Sequence, residues 1–201
     1  MSKQISRTLG GKRRKETTPR DAEASRNRIL EAAKLRFSQS SYEGVGVREI
    51  AADAGVDPAL VMRYFGSKES LFREIASRTF DTNDILIGST DALPENAATI
   101  VMGKLDDNTW RTGYDPLRLL LASIGSPTAG PILSEYLDRD FIVPITASLR
   151  GRDANERGAM IAAEILGLAL VRAALASSRT EKKLHVTKLK RIFIEALKSL
   201  K

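Results

Sequence analysis

The sequence predicts an all-α protein in two parts, a small N-terminal unit built on three helices and a larger helical bundle behind it. Three observations point there. Apolar residues recur at helical spacing through nearly every ordered-looking segment, as in Ile50, Ala51 and Ala54 or Leu189, Phe193 and Leu197. Helix starts are marked by cap and proline signals, as at Thr18-Pro19, Asp57-Pro58 and Asp115-Pro116. No pair of segments alternates as paired strands do, and no internal repeat is present.

The N-terminal unit is organised around residues 47–68. A first short helix is expected over Val47–Ala54 and ends at Gly55, because a chain leaving a helix often needs a left-handed residue. Asp57 offers an N-cap carboxylate and Pro58 suits the first helical position, where a missing N–H has no partner to lose. The second short helix, Pro58–Phe65, turns Val61 and Phe65 inward, and small Ala51 lets the two helices cross closely. Two short helices around such a turn make a helix-turn-helix, whose second helix enters the DNA major groove.

The flanks narrow this further. Residues 42–51 (YEGVGVREIA), 54–61 (AGVDPALV) and 64–72 (YFGSKESLF) resemble the N-terminal domain of TetR-type bacterial transcriptional regulators, over roughly residues 18–77. The resemblance implies a DNA-binding domain at 18–80 with its helix-turn-helix at 46–65, and a ligand-binding and dimerisation domain at 81–201. It implies a homodimeric repressor in the cytoplasm that leaves a palindromic operator when a small apolar effector binds. The family's usual Ser or Thr at the start of the first short helix is replaced here by Val45 and Gly46. A customary Tyr is replaced by Met62 and a Thr or Ser by Leu60, so two or three customary phosphate contacts are missing.

Candidate DNA-contacting residues are those on the outward face: Arg48, Pro58, Ala59, Leu60, Met62, Arg63, Tyr64 and Lys68. Only Arg48 and Arg63 can fork onto the two acceptors of guanine; Ala59 and Leu60 can make apolar contacts alone. Tyr64 and Lys68 are expected to bond phosphates, which fix register without reading sequence. Lys68 in the first turn of a helix is unfavourable for helix stability alone, which favours the phosphate role, at the positive end of the dipole.

Charge supports a polyanionic partner through its location. The chain of 201 residues carries a net charge of +7, and residues 1–20 hold seven cations against Glu16 alone. Residues 1–17 read as a disordered basic tail, in which Lys12, Arg13, Arg14 and Lys15 are expected to meet DNA phosphates. A solvated leader without a fixed partner is the plainer alternative.

Behind the reader, helices are expected at 18–38, 68–80, 94–104, 115–124, 131–149 with a kink at Pro144, 154–176 and 184–200, with a hinge over 81–96. Residues 158–177 (GAMIAAEILGLALVRAALAS) are apolar nearly all round. Glu164 and Arg172 argue against a membrane span, since each charge costs roughly 2.5–3.5 kcal/mol at bilayer depth. Burial on both sides is expected instead, in a four-helix bundle made by 154–176 and 184–200 of two chains; an intramolecular core is the alternative. Met102, Trp110, Tyr114, Leu119 and Met160 mark a neighbourhood for a ligand pocket, although such residues are more often plain core.

Other chemistry finds little support. There is no cysteine, and the lone His185 has no second histidine to join it at a metal. No GxSxG, HExxH, phosphate-binding loop or GxGxxG is present, so neither an enzyme nor a cofactor is expected. The remaining alternative is an architectural DNA-binding protein without an effector.

Overall fold

The computed structural model describes residues 19–80, 82–103, 113–175 and 185–201. The basic leader and Trp110 lie outside the described residues. All regular structure among the described residues is helical.

Helix α1 (Pro19–Gln39) buries Ile29, Leu30, Ala33 and Phe37 along one face. Helices α2 (Val47–Ala54) and α3 (Pro58–Phe65) cross over it, and α4 (Lys68–Ala76) closes the unit from the other side. The α2–α3 turn forms as its residues dictate. Gly55 adopts φ 63°, and the N–H of Val56 returns to the carbonyl of Ala51 at 3.0 Å. Asp57 Oδ1 accepts from the N–H of Ala59 at 2.7 Å. Gly46 has no side chain with which to cap α2, and Glu49 compensates: its Oε2 accepts from the N–H of Gly46 at 2.8 Å. Helix α4 ends at Ala76, four residues short of the expected Phe80, because Arg78 and Thr79 close tighter turns onto Ile75 and Ala76. Phe80 is nonetheless buried.

An aromatic cluster joins these pieces. Phe37 of α1, Tyr42 of the α1–α2 loop and Phe72 of α4 meet with ring centroids 5.0–5.7 Å apart. Lys68 lies 4.2 Å over the Tyr42 ring, and its Nζ donates to the carbonyls of Tyr42 (2.9 Å) and Val45 (3.1 Å). The first residue of α4 thus staples the loop that leads into α2.

Residues 82–89 form irregular turns, which Asn96 ties down by donating to the carbonyls of Ile85 (3.1 Å) and Ile87 (2.9 Å). After a 3₁₀ turn, α5 spans Leu93–Val101. Helix α6 (Pro116–Ser123) begins as expected, Asp115 Oδ1 accepting from the N–H groups of Leu117 and Arg118. The single kinked helix expected over 131–149 is instead α7 (Ala129–Leu137), a π turn (Asp138–Ile142) and α8 (Val143–Ser148). Pro144 has no N–H to offer the carbonyl of Asp140, which accepts from Thr82 Oγ1 at 3.3 Å, and the wider turn absorbs the misfit.

Helix α9 (Ala154–Leu175) packs on α8 and α5, and α10 (Val186–Leu200) lies beside α9 and α5. Asp153, which precedes α9, takes φ 56° rather than the extended backbone of a side-chain cap. At Gly158 a Cβ would fall 3.0 Å from the Thr146 Cα, so only glycine permits this crossing. Arg172 explains itself structurally: its Nη1 donates to the carbonyls of Val101 and Gly103, closing the end of α5. Within one chain α9 is not enclosed. Ile161, Ala162 and Ile165 face the core, whereas Met160, Ala163, Gly167 and Val171 share an exposed face, Met160 at 52% and Val171 at 50%. On α10, Phe193 and Leu197 are buried and Ile192 faces outward. No helix among the described residues is long and apolar enough to cross a membrane.

The two halves touch along α1–α6 and α4–α7. Tyr114 OH meets Thr79 Oγ1 at 3.0 Å, Arg73 pairs with Glu135 at 2.9 Å, and Ser126 Oγ lies 2.5 Å from Glu43 Oε1.

Replacing Lys68 by Met should lower unfolding stability by about 1–3 kcal/mol, because two loop carbonyls lose a charged donor. Urea unfolding followed by circular dichroism measures this, and an unchanged midpoint would mean that the ammonium does not hold the loop.

Candidate nucleic-acid interface

The outward face of α3 follows from its inward one. With Val61 and Phe65 buried at i and i+4, the 100° step per residue sends Ala59, Met62 and Arg63 outward. These three and Pro58 are exposed, as is Arg48 on α2. Leu60 and Tyr64 are half-buried and pack against the core, so they flank the face rather than project from it. The Arg63 guanidinium lies 5.4 Å over the Tyr64 ring, which directs it along the helix surface.

Most cations around this face are already engaged. Arg36 of α1 grips Asp53 of α2 through two nitrogens at 2.5 and 2.9 Å and reaches Glu49 at 3.4 Å. Arg26 stacks 4.7 Å over Phe65 and pairs with Glu74 at 2.5 Å. Sequence reading missed both, since neither has a local signal. Arg48 and Arg63 carry no ion pair among the described residues, which leaves their forks available to a ligand. Lys68 stands at the first position of α4, with its ammonium turned back onto the carbonyls of Tyr42 and Val45. The tail residues Lys12, Arg13, Arg14 and Lys15 lie outside the described residues.

Two carboxylates beside the reader are strongly held. The hydrogen bond from Arg36 keeps Asp53 below the usual carboxylate range, and the one from Ser126 does the same for Glu43, with Lys68 adding its charge. Both groups are easier to ionise folded than unfolded. Their contribution is therefore present above the ordinary carboxylate range and lost as pH falls through the lowered folded values.

The residues of the expected ligand neighbourhood stand in different settings, and Trp110 lies outside the described residues. Leu119 is fully buried, Met102 is half-buried at the end of α5, and Tyr114 belongs to the contact between the halves. Met160 faces outward on α9, because Ile161 and Ile165 take the inner side. The open clefts lie elsewhere. One of about 450 Å³ is bounded by Ser77, Arg78, Thr82, Arg139 and Asp140, and one of about 320 Å³ by Thr90, Asp91, Ser148, Arg150 and Lys201. Among the described residues no group of His, Asp and Glu converges as metal ligands do.

Residues 29–75 match the model of bacterial regulatory proteins of the tetR family, and residues 91–189 match that of the tetracyclin repressor-like C-terminal domain. The HTH-type transcriptional regulatory protein RaaS of Mycobacterium tuberculosis is 40% identical over 110 residues, 55% of this chain and 48% of that protein. The HTH-type transcriptional repressor AcnR of Corynebacterium efficiens is 39% identical over 62 residues, 29% of this chain and 33% of the repressor. The matches thus span half or less of these relatives' length. Among solved structures, a TetR-family regulator from Streptomyces coelicolor aligns with TM-score 0.56 at 24% identity, covering 89% of this chain and 94% of that one. NalD, the secondary repressor of the MexAB-OprM multidrug efflux pump in Pseudomonas aeruginosa, aligns with TM-score 0.63 at 18% identity, covering 89% and 95%. These likenesses extend the shared fold over both halves. With its reader half and its C-terminal half each matched to a TetR model, the chain belongs to the TetR family of bacterial regulatory proteins.

Proposed function

We propose that this chain is a homodimeric, sequence-specific transcriptional repressor of the cytoplasm, which leaves its operator when a small molecule binds. The observation that carries the reading is the exposed face of α3 with α2, where Arg63 and Arg48 stand without ion pairs among the described residues, beside apolar Ala59 and Met62. Such a face reads guanine by forked arginines and thymine methyls by contact. Names given to relatives, transcriptional repressor among them, favour the same reading. Residues 18–80 act as the DNA-binding domain and 81–201 as the regulatory one.

The exposed apolar stripe of Met160, Ala163, Gly167 and Val171 on α9, with Ile192 on α10, supports pairing with a second copy. Small Ala163 and Gly167 between larger Met160 and Val171 allow close helix approach, and two helices from each chain complete a four-helix bundle. A two-fold pair of readers recognises half-sites about 34 Å apart. An effector releases DNA if it binds the released arrangement better than the bound one. Helix α4, leading into the hinge expected over 81–96, is the lever on which it acts.

Replacing Arg63 by Ala should remove about 1–3 kcal/mol of discrimination at one base position in each half-site. Removing residues 1–15 should instead weaken binding to every duplex and flatten its dependence on salt. Titrations of matched and substituted operators across salt separate the two; a uniform loss for Arg63→Ala, or an unchanged slope for the truncation, would refute the respective role. Val171→Glu should convert the dimer to monomer in sedimentation velocity, and an unchanged mass would place the interface elsewhere.

A further inference from the structure

The reader is gripped at both of its edges. On its C-terminal side α3 runs into α4, which meets the second half through Arg73 and Glu135. On its N-terminal side the α1–α2 loop is held twice. Lys68 takes its Tyr42 and Val45 carbonyls, and Glu43, at its exposed tip, meets Ser126 of the α6–α7 turn. We propose that the Glu43–Ser126 hydrogen bond is a positioning contact through which the second half sets the tilt of the α2–α3 reader.

Ser126 is built for such a role. It is 8% exposed, and its Oγ accepts from the N–H groups of Thr128 (3.2 Å) and Ala129 (2.9 Å), forming the first turn of α7. Its one hydroxyl hydrogen is then directed at Glu43 Oε1, 2.5 Å away. Both the accepting and donating capacity of the hydroxyl are in use, so its orientation is fixed by α7. Glu43 transmits that orientation over a short path. Tyr42 and Val45, its near neighbours, are buried at 6% and 2%, and the next residue, Gly46, is the N-cap of α2. A displacement of the α6–α7 turn therefore reaches the start of α2 without passing through α4. Movement at one edge alone pivots the reader about the other, and in a dimer this changes the separation of the two recognition helices.

This inference rests on the reading of the chain as a dimeric DNA-binding regulator, and its test separates the two. Glu43→Ala removes the acceptor, whereas Glu43→Gln keeps an oxygen that accepts from Ser126. Each full-length variant is titrated with an operator of native half-site spacing and with operators one base pair longer or shorter. The unmodified chain and Glu43→Gln should prefer the native spacing; in Glu43→Ala that preference should fall about 5-fold or more, measured at a temperature where circular dichroism shows the variant fully helical. A preference unchanged in Glu43→Ala, or lost equally in Glu43→Gln, overturns the assignment to this hydrogen bond. Absence of any spacing preference in the unmodified chain overturns the dimeric-regulator reading, and the inference with it.

Discussion

Helices α2 and α3 have eight residues each, too few to be stable alone in water, so the geometry of the reader is borrowed from what it leans on. What it leans on is the packing of Phe37, Tyr42 and Phe72, three rings contributed by α1, the α1–α2 loop and α4. Lys68 completes that cluster from above Tyr42 and ties two loop carbonyls to the start of α4. Once these rings are packed, the directions of α1 and α4 and the entry into α2 are settled together. The side of α3 that carries Arg63 is then committed to solvent.

The reader was legible because its signals are local. Gly55, Asp57 and Pro58 each act within a few residues, and each stands in the conformation its chemistry favours. Lys68 shows the complementary case. Its position in α4 is a local fact, but its partners lie 26 and 23 residues away in the loop before α2. The same holds for Arg36 with Asp53, Arg26 with Phe65, and Glu43 with Ser126, 83 residues apart. None of these pairs repeats at a helical period, so periodicity has no purchase on them.

The second half was legible in its helical character and less so in its detail. Pro144 announced an interruption, but the form of that interruption depends on Thr82, a residue of the linker that meets the stranded carbonyl of Asp140. The apolar run in α9 signalled burial on two sides, and a single chain supplies one of them. Met160 stands on an outward stripe, and hydrophobicity alone does not separate such a stripe from a cavity wall. Arg172 shows the reverse case, a charge within an apolar helix that serves as a cap for the end of α5. In both, three-dimensional neighbours rather than residue type decide the role.

The central claim is that a paired, arginine-bearing reader recognises one DNA sequence. Selection of bound duplexes from random DNA by the full chain tests it most directly. The account predicts recovery of a single inverted repeat whose half-sites lie about one helical turn apart. Recovery of duplexes without a consensus would contradict it, and would reduce Arg48 and Arg63 to phosphate contacts on a protein that binds DNA by charge alone.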